Sequence, residues 1–244
     1  MRVLLIIPAY NEQAALGGLL DEIRALPATD GVRLEAVVVD DGSSDRTAEI
    51  AAAGGARVVR LCRNLGIGGA VQTGLRIAAR ESFDAAVQLD GDGQHPPAQV
   101  ARLLEPMRGA TPPDLVVGSR YGVANNFRST ALRRLGSGWL RFILRLVGLK
   151  VSDPTSGFRL YGRRALRLFD ETYAYDFPEP ESLAVARAAK LAVAEVPVQM
   201  RERAGGASSI NAFASIYYMF KVTLAVLLTY LRTLGRASKK EASP

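Results

Sequence analysis

Five short apolar runs, each giving way to polar residues and separated by stretches of helical spacing, constrain this chain more than any other feature. Val3 to Ile7 ends at Pro8, and Leu34 to Val39 ends at Asp40-Asp41-Gly42-Ser43; Arg57 to Leu61, Phe83 to Leu89 and Asp114 to Val117 follow. Strands buried on both faces read as continuous apolar runs rather than as alternation. Between them, Glu12 to Leu26, Arg46 to Ala53, Ile67 to Arg80 and Pro97 to Met107 have helical character, with Ser44 and Asp45 placed to cap the second. The alternation predicts an α/β protein with an open, Rossmann-like, mostly parallel sheet flanked by helices. In such sheets ligands bind beyond the carboxyl ends of the strands. Polar clusters sit at three of those ends: Pro8 to Glu12, Asp40 to Asp45 and Asp90 to Gln94.

The third cluster, in "QLDGDGQHPP", carries Asp90 and Asp92 separated by Gly91. A carboxylate at the end of a buried strand is costly unless paired or bound to a cation. In extended backbone, residues two apart point the same way, so both carboxylates can converge while Gly91 admits a close neighbour. Adjacent carboxylates suit a hard divalent ion, Mg²⁺ or Mn²⁺, and Gln94 offers a further oxygen. An ion with so few protein ligands keeps positions open for a diphosphate and offsets charge on a departing phosphate.

Charge is distributed unevenly. The net charge is +7, yet Leu115 to Ser152 contains seven basic residues and no acid, and Ala204 to Lys240 contains five and no acid. Leu132 to Leu149 predicts an amphipathic helix with Leu132, Leu135, Trp139, Phe142, Ile143 and Leu146 on one face and Arg134, Arg141 and Arg145 opposite. Such a helix can lie in a membrane interface, where anionic headgroups attract bases at about 1 kcal/mol each; a core-facing helix with a solvated basic side is the alternative. Phe213 to Leu231 is 19 mostly apolar residues with Lys221 near its middle. A lysine there costs about 2.5–3.5 kcal/mol on insertion scales, so an interfacial or partner-docked C-terminal amphipathic, hydrophobic helix is expected rather than an independent span, with a purely soluble packing helix as the alternative. Two segments follow: a globular domain over 1–209 and a membrane-associating helix with a basic tail over 210–244. Hydrophobic residues at 48% and charged residues at 23% exclude general disorder. Cys62 is the only cysteine, so no internal disulfide forms, and the amino terminus enters a strand without a signal peptide. The cytoplasmic face of a membrane is the expected location. Arginines interleaved with aliphatic residues rather than with a stacking platform exclude nucleic acid as the expected partner.

Pro8-Ala9-Tyr10-Asn11-Glu12, Val39-Asp40-Asp41-Gly42-Ser43-Ser44-Asp45-Arg46-Thr47, Asn64 to Ala70, Asp90-Gly91-Asp92-Gly93-Gln94-His95-Pro96 and Gly118-Ser119-Arg120-Tyr121 occur in an order that resembles the family 2 glycosyltransferases. Within them the chain is similar to the dolichyl- and polyprenyl-phosphate mannose and glucose synthases, over roughly Arg2 to Ser209. The resemblance implies a GT-A fold, a nucleoside diphosphate sugar donor, a divalent metal and inversion at the anomeric carbon. It places Pro8, Tyr10 and Glu12 along the nucleotide and Asp40 at the base or ribose. It puts Asp90, Gly91, Asp92 and Gln94 at the metal and diphosphate, and Arg120 at the diphosphate or acceptor phosphate. Arg203 falls in a loop resembling R-x-x-G-x-S-K, with Ser209 in place of the lysine. Asp92, Arg120 and Arg203 are the expected catalytic residues.

The expected reaction is sugar transfer to a polyprenyl phosphate, undecaprenyl or dolichyl. A lipid phosphate is already anionic, so alignment and electrostatic stabilisation suffice without a strong base. Transfer to a sugar hydroxyl of a glycolipid or polysaccharide would need a base, for which Asp176, Glu179 and Glu181 are candidates; their other reading is a helix start whose acids favour the dipole. From another class, a noncatalytic nucleotide-sugar-binding membrane adaptor remains open, as does association with a small membrane protein or a second copy. His95 is read as shaping the turn before Pro96, and the glycines of Gly66 to Gly69 as no dinucleotide fingerprint, since they do not follow the first strand.

Overall fold

In the computed structural model, the residues described are 1–121, 131–174, 176–201 and 220–233, with side chains of the helix at 131–135 excluded. Seven strands form one sheet: β1 (Arg2–Ala9), β2 (Arg33–Asp40), β3 (Arg57–Arg60), β4 (Ala85–Gln88), β5 (Leu115–Ser119), β6 (Arg159–Gly162) and β7 (Val193–Pro197). Their order is β3-β2-β1-β4-β6-β5-β7, and every pairing is parallel except those of β6 with β4 and with β5. The first four strands leave the sheet at one edge, and β1 and β4 lie side by side because the chain reverses its direction of travel across the sheet there. A topological switch of this kind opens a crevice beyond the strand ends.

Apolar side chains alternate between the two faces of each central strand. Val3, Leu5 and Ile7 of β1 pack with α1 (Leu16–Arg24), α2 (Thr47–Ala53) and α4 (Val100–Leu104), whereas Leu4 and Ile6 pack with α3 (Gly66–Arg80), α5 (Ala131–Leu146), α6 (Arg163–Glu171) and α7 (Pro178–Ala188). The result is a three-layer α/β/α architecture with a mostly parallel sheet, as the apolar runs predict. All five expected strands are present. The stretch expected as one helix over Pro97 to Met107 is instead α4 flanked by two tight 3₁₀ turns, with Pro97 opening the first and Pro106 lying in the second. Proline supplies no amide to continue an α-helical ladder, which accounts for the break.

Helix α5 differs from its expected two-sided pattern. Leu140, Ile143, Leu144 and Val147 are buried in the core, while Trp139, Phe142 and Leu146 are 47%, 51% and 65% exposed. Apolar residues span more than half of the helix circumference, so the single apolar face expected from Trp139, Phe142, Ile143 and Leu146 divides: Ile143 goes into the core and the other three remain outside it. Arg141 and Arg145 occupy the third side. Residues 220–233 are helical and lie against the same layer, with Val222 and Val226 fully buried in its core. Phe220, Leu224, Leu228 and Leu231 of this helix are exposed along one stripe. Trp139 donates its indole N–H to Thr223 Oγ1 at 2.8 Å, and Thr229 donates to Glu181 Oε2 at 3.0 Å, so the helix is fixed to both α5 and α7. Among the described residues, no helix is long and apolar enough to cross a membrane.

Candidate functional site

The carboxyl ends of β1, β2 and β4 bring the three polar clusters together. The loop after β1 is knitted to the loop after β2. Asn11, with φ of +54°, accepts the Ser44 amide N–H at 2.9 Å and donates its own to Ser43 Oγ at 3.0 Å. Glu12 N–H donates to Thr47 Oγ1, and Gln13 N–H to Asp45 Oδ2. Asp45 also accepts the Thr47 amide at 2.9 Å, but the N-cap of α2 is Arg46, whose side chain makes no capping bond, so the expected cap is replaced by this bond from one residue earlier while Ser44 turns to Asn11. Pro8 is buried, Glu12 is half-buried and Tyr10 is exposed at the rim.

Asp40 is fully buried. Its Oδ1 accepts the Ser43 amide at 3.0 Å, and its Oδ2 lies 3.2 Å from Arg60 Nε in an ion pair that lacks hydrogen-bond alignment. In this conformation Asp40 supports the loop rather than presenting its carboxylate outward. Asp41 likewise accepts Leu65 N–H at 2.7 Å, tying the chain before α3 to the same rim.

Asp90 and Asp92 follow β4 beside the end of β1. Gly91 donates to Pro8 O at 3.2 Å, and a Cβ built on Gly91 would lie 3.0 Å from that oxygen and 3.2 Å from Ala9 Cβ, so the strand ends meet where a side chain would not fit. Asp90 N–H donates to His95 Nδ1 at 3.0 Å, and the buried imidazole stacks on Phe158 at 4.8 Å. The histidine therefore shapes this turn, as expected. Asp92 Oδ1 accepts Gln94 N–H at 3.0 Å, and the Gln94 amide nitrogen donates to Asp92 Oδ2. Arg201 N–H bonds Gln94 O at 3.0 Å, which brings the chain leading toward Arg203 to this loop. Arg203 itself lies outside the described residues.

The donor set fits a hard cation. Asp90, Asp92 and Gln94 are three oxygen-bearing side chains on one turn, and Gly157 lies against Asp90 with no side chain of its own: a Cβ there would sit 3.5 Å from both carboxylate oxygens. Gln94 would have to turn its amide over to offer oxygen. Among the described residues no group of three or more His, Cys, Asp or Glu is disposed to hold a metal, so an ion here would retain open positions.

Opposite this turn, Arg120 closes a fork with the fully buried Asp153: Nε to Oδ2 at 2.7 Å and Nη2 to Oδ1 at 2.6 Å, with Thr155 Oγ1 at 2.8 Å. Burial works against the guanidinium's charge, but Asp153 outweighs it and holds its pKa above the ordinary value. Glu195 in turn accepts the Ser152 and Asp153 amides. The structure separates the three acids expected near α7. Glu181 accepts the Phe177 amide and Thr229, serving the helix start and the 220–233 helix; Asp176 is exposed. Glu179 is in the electrostatic field of Arg159, Asp90 and Arg120, and burial raises its carboxyl pKa, with Arg159 working against that rise. Arg159 closes the Asp153 to Arg159 stretch, which also resembles the family but whose individual roles the sequence does not give; it is fully buried and donates to Ser156 O, Pro154 O, Glu179 O and Ser182 Oγ.

The order of this sheet, with Asp90 and Asp92 at the β1–β4 switch, is that of a GT-A-like α/β fold. The model of the glycosyl transferase family 2 matches residues 4–169, and the chain belongs to that family. It is 35% identical over 223 residues to the undecaprenyl-phosphate mannosyltransferase of Micrococcus luteus, covering 86% of this chain and 88% of that one. It is 32% identical to the polyprenol monophosphomannose synthase of Mycolicibacterium smegmatis, covering 91% and 85% respectively. Among solved structures, glucosyl-3-phosphoglycerate synthase from Mycobacterium tuberculosis with Mn²⁺, uridine diphosphate and glucosyl-3-phosphoglycerate superposes with a TM-score of 0.68 at 25% identity, over 96% of this chain and 80% of that one. The enzyme is a glycosyltransferase.

Proposed function

We propose that this enzyme transfers a sugar, with inversion, from a nucleoside diphosphate to a polyprenyl phosphate at the cytoplasmic face of a membrane. A phosphate oxygen of the lipid attacks the anomeric carbon as the bond from that carbon to the diphosphate oxygen breaks, yielding the lipid-linked sugar phosphate and a nucleoside diphosphate. Pro8, Tyr10 and Glu12 line the nucleotide, and Asp40 acts through the loop that it supports. Asp90, Asp92 and Gln94 would hold Mg²⁺ or Mn²⁺, which supplies charge compensation for the leaving diphosphate. Arg120, set by Asp153, contributes a fixed positive charge suited to phosphate, and Arg203 is assigned to the donor diphosphate. Residues 1–209 form the catalytic unit, and 210–244 the membrane-associating segment.

The observation that carries this reading is the exposed apolar surface beside the site. Trp139, Phe142 and Leu146 join the Phe220–Leu231 stripe through the Trp139–Thr223 bond, and Arg141 of the same α5 lies over the Tyr121 ring, next to Arg120, at 5.6 Å. A lipid acceptor needs its phosphate at the site and its chain in the bilayer, and this arrangement provides for both. The names of the two bacterial relatives support the acceptor class. A second reading, transfer to a sugar hydroxyl, is favoured by Glu179, a half-buried residue in the field of Asp90 whose carboxyl pKa is raised, as a base requires. Purified protein incubated with a panel of nucleotide sugars, Mn²⁺ and undecaprenyl phosphate should form lipid-linked product, and Asp92→Ala should abolish it. Product only with hydroxyl acceptors, or undiminished turnover by the variant, would overturn the proposal.

A further inference from the structure

The last residue of β4, Gln88, is 1% exposed and pairs in register with Arg159 of the neighbouring β6, two residues from Tyr161. Its Oε1 accepts the Tyr161 hydroxyl at 3.3 Å, and its Nε2 donates to Asp90 Oδ1 at 3.2 Å. The Tyr161 hydroxyl also pairs with that of Tyr173 at 3.3 Å. Because Tyr161 gives its one proton to Gln88, it accepts from Tyr173, so the chain of bonds has one direction: Tyr173 to Tyr161 to Gln88 to Asp90. We propose that Gln88 is a positioning residue that sets the Asp90 carboxylate for the divalent ion, with the Tyr161–Tyr173 pair fixing which end of its amide faces Asp90.

The surroundings favour this role over chance pairing. Tyr161 and Tyr173 each pack edge-on against Phe169, at 5.7 and 5.5 Å, which holds both rings. Burial raises both phenol pKa values, so each remains a neutral donor. A buried amide with its acceptor end occupied by a hydroxyl can offer only its N–H₂ end to the other side, and a carboxylate is the complementary partner. Gly157 leaves room for that contact: a Cβ there would stand 3.0 Å from Gln88 Nε2. His95 holds the Asp90 amide and Gln88 holds one carboxylate oxygen, while His95 Nε2 lies 3.8 Å from the other. Groups that orient a ligand from behind commonly contribute about 10–100-fold to ion affinity.

This inference rests on Asp90 as an ion ligand, and the test separates the two. Mn²⁺ binding to the protein without donor is measured by the electron paramagnetic resonance signal of free Mn²⁺, for wild type, Gln88→Leu and Tyr161→Phe. Gln88→Leu should weaken binding by about 10–100-fold, and Tyr161→Phe in the same direction but less, with the KM for undecaprenyl phosphate unchanged in both. A folded Gln88→Leu that binds Mn²⁺ as wild type does would overturn the positioning role; should that variant not fold, unchanged binding by Tyr161→Phe would do so. A matching rise in the acceptor KM would also count against it, since that marks general distortion of the site. Absence of Mn²⁺ binding in wild type would overturn the ion reading and this inference together.

Discussion

Arg159 provides the sharpest test of how the 152–158 loop is held. Its guanidinium is fully buried and bonded to Ser156 O at 2.7 Å, Glu179 O and Ser182 Oγ at 2.8 and 2.6 Å, and Pro154 O at 3.1 Å. In Arg159→Met the aliphatic stem is retained and these donors are lost. Ser182 still donates to Glu179 O at 3.0 Å, so the carbonyls stripped of this donor are those of Ser156 and Pro154. At about 1–3 kcal/mol for each buried group left unsatisfied, the loss is about 2–6 kcal/mol. Removing a buried charge acts in the opposite direction, which places the expectation in the lower half, about 2–4 kcal/mol. That is a large share of a typical stability of about 5–15 kcal/mol. Urea denaturation at neutral pH measures it from the midpoint, provided the slope is unchanged. Arg159→Lys retains the charge with fewer donors and should fall between wild type and Arg159→Met. A loss under about 1 kcal/mol in Arg159→Met would refute the claim that these bonds organise the loop.

Two further outcomes are expected. Burial raises the Glu179 pKa, so the folded protein binds this proton more tightly than the unfolded chain; the stability it contributes is full below the unfolded value and falls as pH rises through the raised folded value. Glu179→Gln should therefore lose less stability than wild type between about pH 4 and pH 8, as read from urea midpoints, and parallel curves would contradict the argument. Leu224→Glu with Leu228→Glu, both on the exposed stripe, should cut cosedimentation with anionic vesicles several-fold while leaving thermal stability within a few degrees; unchanged sedimentation would remove the bilayer from the picture.

The amino-terminal half was legible because its strands are continuous apolar runs with polar exits. Asp90, Asp92 and Gln94 could be placed together from spacing alone. Strand β6, "RLYG", offers no such signal: it is four residues long and begins with a buried arginine. Its Tyr161 gains meaning only when Gln88 is found in the adjoining strand. Arg120 was readable as a cation but not as the partner of Asp153, 33 residues away. The division of α5 was hidden because periodicity locates apolar faces without saying which of them the core covers. Glu181 could be read as a helix-start acid, but its bond to Thr229 depends on tertiary packing.

The reversed direction of β6 has a geometric consequence for specificity. Strands β1 and β2 reach the rim as they leave the sheet, and the segments that follow run on into α1 and α2. Among the described strands only β6 arrives there from outside, so the 152–158 stretch ahead of it meets Asp90 through Gly157 and Arg120 through Asp153 without being committed to a helix start. Changes of length or chemistry in that approach can recut the wall beside Asp90 and Arg120 while the rim built from β1, β2 and β4 keeps its shape.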